Sequence, residues 1–229
     1  MKTRKYIYWL LALLCYLPAF TQSPVKIQRL EAGEKTCLHE GWFARKASEI
    51  GEDGNRLTGQ PFEATGWMKA KVPGTVLTTL LENKIYPAPE FGLNNQLIPD
   101  IFHVGRAFYT YWFACPFTME ALLPGQHAWL NFRGINYKAE IYLNGKRVNT
   151  VTHEGMFLRQ SYDITSYLKE NGTNMLAVLV FPPDHVGNPN GGQGGDGQIA
   201  RNCTMQYTPG WDWIQPVRDR NTGIWDEVS

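Results

Sequence analysis

The densest chemistry in the chain lies near its C-terminal end. Trp211, Asp212 and Trp213 stand together, and Arg218, Asp219, Arg220 and Asn221 follow closely. A sugar ring presents apolar C–H faces and polar hydroxyl edges. A site for it therefore needs an aromatic plate beside a carboxylate that accepts hydroxyl hydrogen bonds, with Arg or Asn donors close by. These seven residues supply that inventory and form the candidate substrate-binding set. The competing reading is structural: the tryptophans pack in a core or between domains, and Asp219 pairs with Arg220. Composition leaves both open.

Other chemistries find less support. Hydrolysis of a glycoside needs two carboxyl groups about 5–5.5 Å or about 6.5–9.5 Å apart. Asp212 with Asp226 or Glu227 is of the right type, but the spacing indicates no such pair, so no catalytic residue is assigned. His39, His103, His127, His153 and His185 are scattered singly and no Cys-x-x-Cys occurs, so no metal site is expected. Gly192 to Gly197 satisfies G-x-G-x-x-G, yet Pro182-Pro183 separates it from the preceding strand and no apolar helical stripe follows. A dinucleotide would find no helix N-terminus there, and no cofactor is expected. No Gly-x-Ser-x-Gly elbow is present.

The elements that must position the candidate residues are mostly strands. Phe108 to Phe113 is an aromatic and β-branched run, read as ended by Pro116. Ala128, Leu130 and Phe132 alternate with Trp129, Asn131 and Arg133. Tyr137, Ala139, Ile141 and Leu143 alternate with polar neighbours up to Asn144-Gly145, a two-residue hairpin turn, with Lys146 to Thr152 as the return strand. Asp163 to Leu168 reads as a short helical turn. Met175 to Phe181 is apolar on both faces, as befits a central strand. Behind Thr75 as N-cap, Val76, Leu77, Leu80 and Leu81 recur at helical spacing for one or two turns before Lys84. Trp225 is expected to pack between sheets. Many short strands with short helices and long loops indicate an all-β, jelly-roll β-sandwich.

Composition agrees with that class. The 229 residues are 43% hydrophobic and 13% aromatic, with 22 Gly and 14 Pro for turns. Lys2, Arg4 and Lys5 precede an apolar run from Tyr6 to Leu17, which is too short to span a bilayer. This reads as an export signal over residues 1–22, cut after Thr21 or Gln22, with the sandwich over 23–229 and a periplasmic or secreted destination. Removing its three basic residues turns the formal charge of +1 into −2, so no nucleic-acid partner is expected. Cys37, Cys115 and Cys203 then remain, an odd set that forms no disulfide scaffold.

From Leu38 onward the chain resembles the N-terminal sugar-binding, galactose-binding-like domain of glycoside hydrolase family 2, on its β-mannosidase side. The resemblance rests on the order of Val72-Pro73-Gly74-Thr75-Val76, Phe91-Gly92-Leu93-Asn94-Asn95, Leu130 to Ala139, Tyr142 to Lys146, His153 to Phe157 and Gly223-Ile224-Trp225. The run from Gln206-Tyr207 through Gly210-Trp211-Asp212-Trp213 to Ser229 is similar to the endo-β-mannosidase and exo-β-glucosaminidase members. What this implies is a retaining glycosidase whose two catalytic glutamates lie on a (β/α)₈ barrel downstream, beyond an immunoglobulin-like domain. This chain would be its N-terminal, non-catalytic portion; Ile224 to Ser229 reads as a strand in progress. Trp211 and Asp212 would reach into the barrel pocket to hold a β-mannoside or glucosaminide-type glycan, with the sandwich packed on the barrel. The alternative is a free-standing carbohydrate-binding module with no enzyme attached.

Overall fold

A computed structural model describes residues 25, 27–170, 172–187, 200–205 and 216–229. The expected leader, the glycine-rich stretch 188–199, and Trp211, Asp212 and Trp213 lie outside the described residues. The elements in chain order are β1 (Gln28–Leu30), β2 (Phe43–Lys46), α1 (Ala47–Ile50), α2 (Gly54–Gly59), β3 (Met68–Lys69), β4 (Gly74–Thr75), α3 (Val76–Glu82) and α4 (Ile101–Val104). They continue with β5 (Tyr111–Met119), β6 (Trp129–Phe132), β7 (Lys138–Leu143), β8 (Lys146–Arg147), β9 (His153–Glu154), β10 (Gln160–Asp163), β11 (Thr173–Phe181) and β12 (Gly223–Ile224).

The larger sheet runs β3-β2-β5-β11-β7-β8, with β1 added parallel to β5 and β9 added to β7. Its centre is β5 against β11, paired antiparallel from Thr173↔Thr118 to Val180↔Tyr111. Both strands are buried along nearly their whole length, because the sheet is covered on both faces. One face sends Phe113, Cys115, Ile141, Leu143, Leu176 and Val178 into the main core with Leu130, Phe132 and Val228 of the opposing layer. The other face buries Trp112, Tyr142, Ala177 and Leu179 under Ala47, Ile50 and Leu57 of α1 and α2. The opposing layer is β6 with β10, and Val228 bridges to Phe132 on the other edge of β6. The result is a β-sandwich with a helical cap on one outer face.

Sequence reading and structure part at four places. Phe108 and Tyr109, read as the start of a strand, lie instead in a 3-10 turn over Arg106–Tyr109, and β5 begins at Tyr111. The aromatic run does not stop at Pro116; β5 passes through it. On the side of β5 away from β11, β2 covers Tyr111 to Ala114 and β1 begins at Phe117. Pro116 sits in the gap between these two neighbours, where a residue without an N–H is tolerated. The turn at Asn144 (φ 50°) and Gly145 (φ 84°) forms as expected, but the return strand β8 is only two residues long. Beyond it the Asn149 side chain replaces a strand: its Oδ1 accepts from Ile141 N–H at 2.8 Å and its Nδ2 donates to the Ala139 carbonyl at 3.0 Å. Trp225 does not lie between the sheets. It is half-buried on the outside, its Nε1 donating to the Met156 carbonyl at 2.9 Å and its ring edge-on to Phe157.

Candidate functional site

The described flanks of the Trp211 segment are Met205 on one side and Pro216 to Thr222 on the other. They are fixed mainly by side chains rather than by strand pairing. Met205 N–H points at Met156 Sδ, 3.1 Å away. On the other flank, Arg220 and Asn221 both adopt left-handed dihedrals, φ 53° and 58°, a conformation that ordinary side chains resist. The surroundings hold them there: Asn136 Nδ2 donates to the carbonyls of both residues, at 2.7 and 2.9 Å. Two consecutive residues tie the flanks to a common post. His185 N–H donates to Asn202 Oδ1 at 2.9 Å, and the Val186 carbonyl accepts from Arg220 Nε at 2.7 Å.

Four charged residues make the interior of this turn. Arg220, only 2% exposed, forms a two-point pair with Asp100: Nη2 to Oδ1 at 2.9 Å and Nη1 to Oδ2 at 3.0 Å. It also donates to the carbonyls of Val217 and Gly187. Arg218 Nη1 donates to the same carboxylate, at Oδ2, at 3.2 Å, and its Nε donates to the Asn95 carbonyl at 3.1 Å. Asp100 is also the N-cap of α4, accepting from Phe102 N–H. Burial pushes its pKa up, but the hydrogen bonds and charge of Arg220, helped by Arg218 and Phe102 N–H, bring it below the usual carboxylate value.

Asp219 has a different task. It is fully buried, and its Oδ2 accepts from Leu77 N–H while its Oδ1 accepts from Asn221 N–H, both at 2.8 Å. Leu77 is in the first turn of α3, whose leading N–H, from Val76, donates to the Thr222 carbonyl. Thr75 caps the helix as its sequence promised, in a reciprocal box with Thr78. The turn at 219–222 therefore satisfies N–H groups that α3 leaves open and sets a carboxylate at its positive end. Burial lifts the Asp219 pKa to about 6 against the pull of these donors.

The structure thus brings Arg218, Asp219, Arg220 and Asn221 together, but not as an open row of sugar ligands. Arg218, Asp219 and Arg220 direct their charged groups inward to partners within the chain. Asp219 and Arg220 are not each other's partners, as the structural alternative had it: Arg220 belongs to Asp100 and Asp219 to the α3 terminus. Asn221 is half-buried at the rim. Sequence reading missed Asp100, Asn95 and Asn136. The run Pro99-Asp100-Ile101-Phe102 does carry a helix-cap signal, but nothing local marks Asp100 as the counter-ion of two arginines more than a hundred residues away.

The galactose-binding domain-like family of glycosyl hydrolase 2 matches residues 42–226. The chain belongs to that family. Mannosylglycoprotein endo-beta-mannosidase of Lilium longiflorum is 52% identical over 200 residues, covering 85% of this chain and 21% of that protein. An exo-beta-D-glucosaminidase of Streptomyces avermitilis is 28% identical over 200 residues, covering 86% of the chain and 19% of the relative. Among solved structures, the exo-chitosanase of Amycolatopsis orientalis superposes with a TM-score of 0.65 at 25% identity, over 86% of this chain and 20% of that one. A beta-D-mannosidase from Dictyoglomus thermophilum gives 0.59 at 27% identity, over 84% and 22%. This glycosyl hydrolase 2 domain spans about a fifth of the length of the relatives it matches.

Proposed function

We propose that this domain is the N-terminal sugar-binding part of a retaining glycosidase that acts on β-mannosidic or related β-glucosaminidic bonds. The observation that carries the reading is the 52% identity to an endo-beta-mannosidase across 200 residues. Trp211, Asp212 and Trp213, with Asn221 at the rim, hold the sugar. Arg218, Asp219 and Arg220 act behind them by fixing the flank from which that segment springs. The sandwich packs on a catalytic barrel, and the acid/base and nucleophile come from that barrel. The apolar run behind Lys2, Arg4 and Lys5 directs the protein out of the cytoplasm.

The test is to express the whole coding sequence and the 229-residue chain separately, and to assay both on aryl β-mannoside, aryl β-glucosaminide and a β-mannosyl glycan. The whole protein is expected to turn over at least one of them and the 229-residue chain none. Turnover by the shorter chain, lost on Asp212→Asn, would reverse the division of labour. Mass spectrometry of protein from the native host should show an N-terminus shortened near Thr21 or Gln22; an intact Met1 in a membrane fraction would count against export.

A further inference from the structure

Twelve large apolar side chains stand exposed among the described residues, and half of them fall between 85 and 104: Ile85, Phe91, Leu93, Leu97, Phe102 and Val104. Scattered apolar residues on a surface are ordinary, but a concentration of them marks a face that something covers. Nor is this stretch a loose loop. Asn94 N–H donates to the Phe91 carbonyl and Gln96 N–H to the Leu93 carbonyl, so two successive turns gather Phe91, Leu93 and Leu97. Beneath them Ile98 and Ile101 are buried, and Tyr109 Oη donates to the Pro99 carbonyl. Arg218 Nε donates to the Asn95 carbonyl while its Nη1 holds Asp100, so one guanidinium fixes both these turns and the start of α4, which carries Phe102.

The chemistry of the face selects what covers it. Between 85 and 104 the only Asp, Glu, Lys or Arg residues are Glu90 and Asp100, and Asp100 is buried in its arginine pair. Depletion of charge with aromatic and aliphatic side chains outward is the composition of a protein–protein interface core. A lipid surface would want Lys or Arg among the apolar groups, and the stretch has none. A sugar would want amides turned outward, and Asn94 Nδ2 donates to the Ala88 carbonyl at 3.0 Å. Position then selects the partner. Arg218, which fixes this face, belongs to the flank of the Trp211 segment, so a body that receives that segment meets this face as well. We propose that Phe91, Leu93, Leu97 and Phe102 form the seat on which the catalytic part of the same protein docks. This rests on the reading of the domain as one part of a longer glycosidase, whose relatives extend for about four-fifths of their length outside the match. It deepens that reading by choosing the face: the seat is the side carrying 91–102, and neither the outer face of β6 nor the helical cap.

Hydroxyl-radical footprinting of the whole wild-type protein, resolved by peptide mass spectrometry, tests this without any substitution. Leu93, Leu97 and Leu123 are 72%, 64% and 66% exposed in this domain, so three residues of one type are compared, and Leu123 lies outside the proposed seat. Leu93 and Leu97 should be oxidised at least about fivefold more slowly than Leu123. Equal rates at the three overturn the inference. Protection that disappears on dilution, together with a dimer in analytical ultracentrifugation, gives the face to a second copy and overturns it too. In the whole protein Leu93→Asp places an unpaired carboxylate in the seat and should lower kcat/KM on an aryl glycoside about tenfold, while Leu123→Asp stays within about twofold of wild type. A Leu93→Asp variant that hydrolyses like the wild type counts against the seat, and if that variant does not fold, the wild-type footprint still decides. If the whole protein hydrolyses no glycoside, the glycosidase reading fails, and the footprint alone reports whether the rest of the protein covers this face.

Discussion

Across β5, β11 and β7 the interior is made of apolar side chains from neighbouring strands, so that Phe113, Ile141 and Val178 each touch many partners of similar kind. Around residues 216–222 the interior is equally buried but charged, and it is held by a few bonds that each have one named partner. The two regions fail differently. Trimming a side chain in the sheet leaves a void into which neighbours partly relax. Removing one member of the charged turn leaves the others desolvated and unpaired, with no neighbour able to relax into its place. The walls of the sandwich are built from interchangeable contacts. The left-handed turn at 219–222 needs specific ones.

The sharpest way to break this contrast is Asp100→Ala. It strands the guanidinium of Arg220 and frees that of Arg218, and should cost about 3–5 kcal/mol in urea unfolding. Ile141→Val, a one-methyl change in the sheet core, should cost about 0.5–1.5 kcal/mol. If the two losses are equal, the charged turn is not structural in the sense argued above.

The pH dependence of stability should show the two buried carboxylates pulling in opposite directions. Asp219 has a folded pKa raised by burial to about 6, from 3.8. It binds its proton more tightly folded than unfolded, so its contribution is full below pH 4 and is lost as pH rises through about 6. Asp100 has a folded value below 3.8, so its contribution is present above that value and is lost as pH falls. These two groups therefore set a maximum of stability near pH 4, with Asp100 lost below it and Asp219 lost above it. Asp219→Asn should flatten the decline above pH 4, a difference of up to ~3 kcal/mol between pH 4 and 7.5, and leave the acid limb in place. Urea unfolding of both proteins at pH 3, 4.5, 6 and 7.5 measures it; an unchanged decline in the Asn variant would reassign the slope to another group.

Asp212 sharpens the contrast from the other side, because it belongs to the segment and not to the turn. In the whole protein Asp212→Ala should lower kcat/KM by roughly two orders of magnitude, ~3 kcal/mol, if the carboxylate holds a sugar hydroxyl more tightly in the transition state. The same change should alter unfolding of the 229-residue chain by no more than about 1 kcal/mol. Near-normal kinetics with a large stability loss would move Asp212 into the same structural class as Asp100.

What the sequence revealed follows the same division. Alternation in Ala128 to Arg133, the two-sided apolar run of β11, the Asn144-Gly145 turn and the Thr75 cap are all local patterns, and each appears where its period placed it. The charged turn is a long-range object. Arg218 and Arg220 read as sugar ligands because their partners, Asp100 and the carbonyls of Asn95, Val186 and Gly187, are distant in sequence or lie in stretches that look like loop. Residue type showed that charge was concentrated there. It could not show which way the charges face.

Trp225 marks the boundary between the two regimes. A tryptophan sealed between sheets would cost about 3–5 kcal/mol on truncation. This one is half-buried on the outside, where it lies against Gly134 and is met edge-on by Phe157. It loses less apolar burial when cut to Ala, and the hydrogen bond from its Nε1 is to the Met156 carbonyl, worth about 1 kcal/mol. Trp225→Ala should therefore cost about 2 kcal/mol. Gly134→Ala tests the same packing without touching the tryptophan: a Cβ at 134 would stand 2.5 Å from the indole, too close for the ring to stay where it is. The two variants should destabilise similarly, and their double mutant should cost less than the sum, since a ring that is absent cannot clash. Strict additivity would mean that the indole is not seated on Gly134. A Trp225→Ala loss as large as that of Asp100→Ala would put it back in the sealed core.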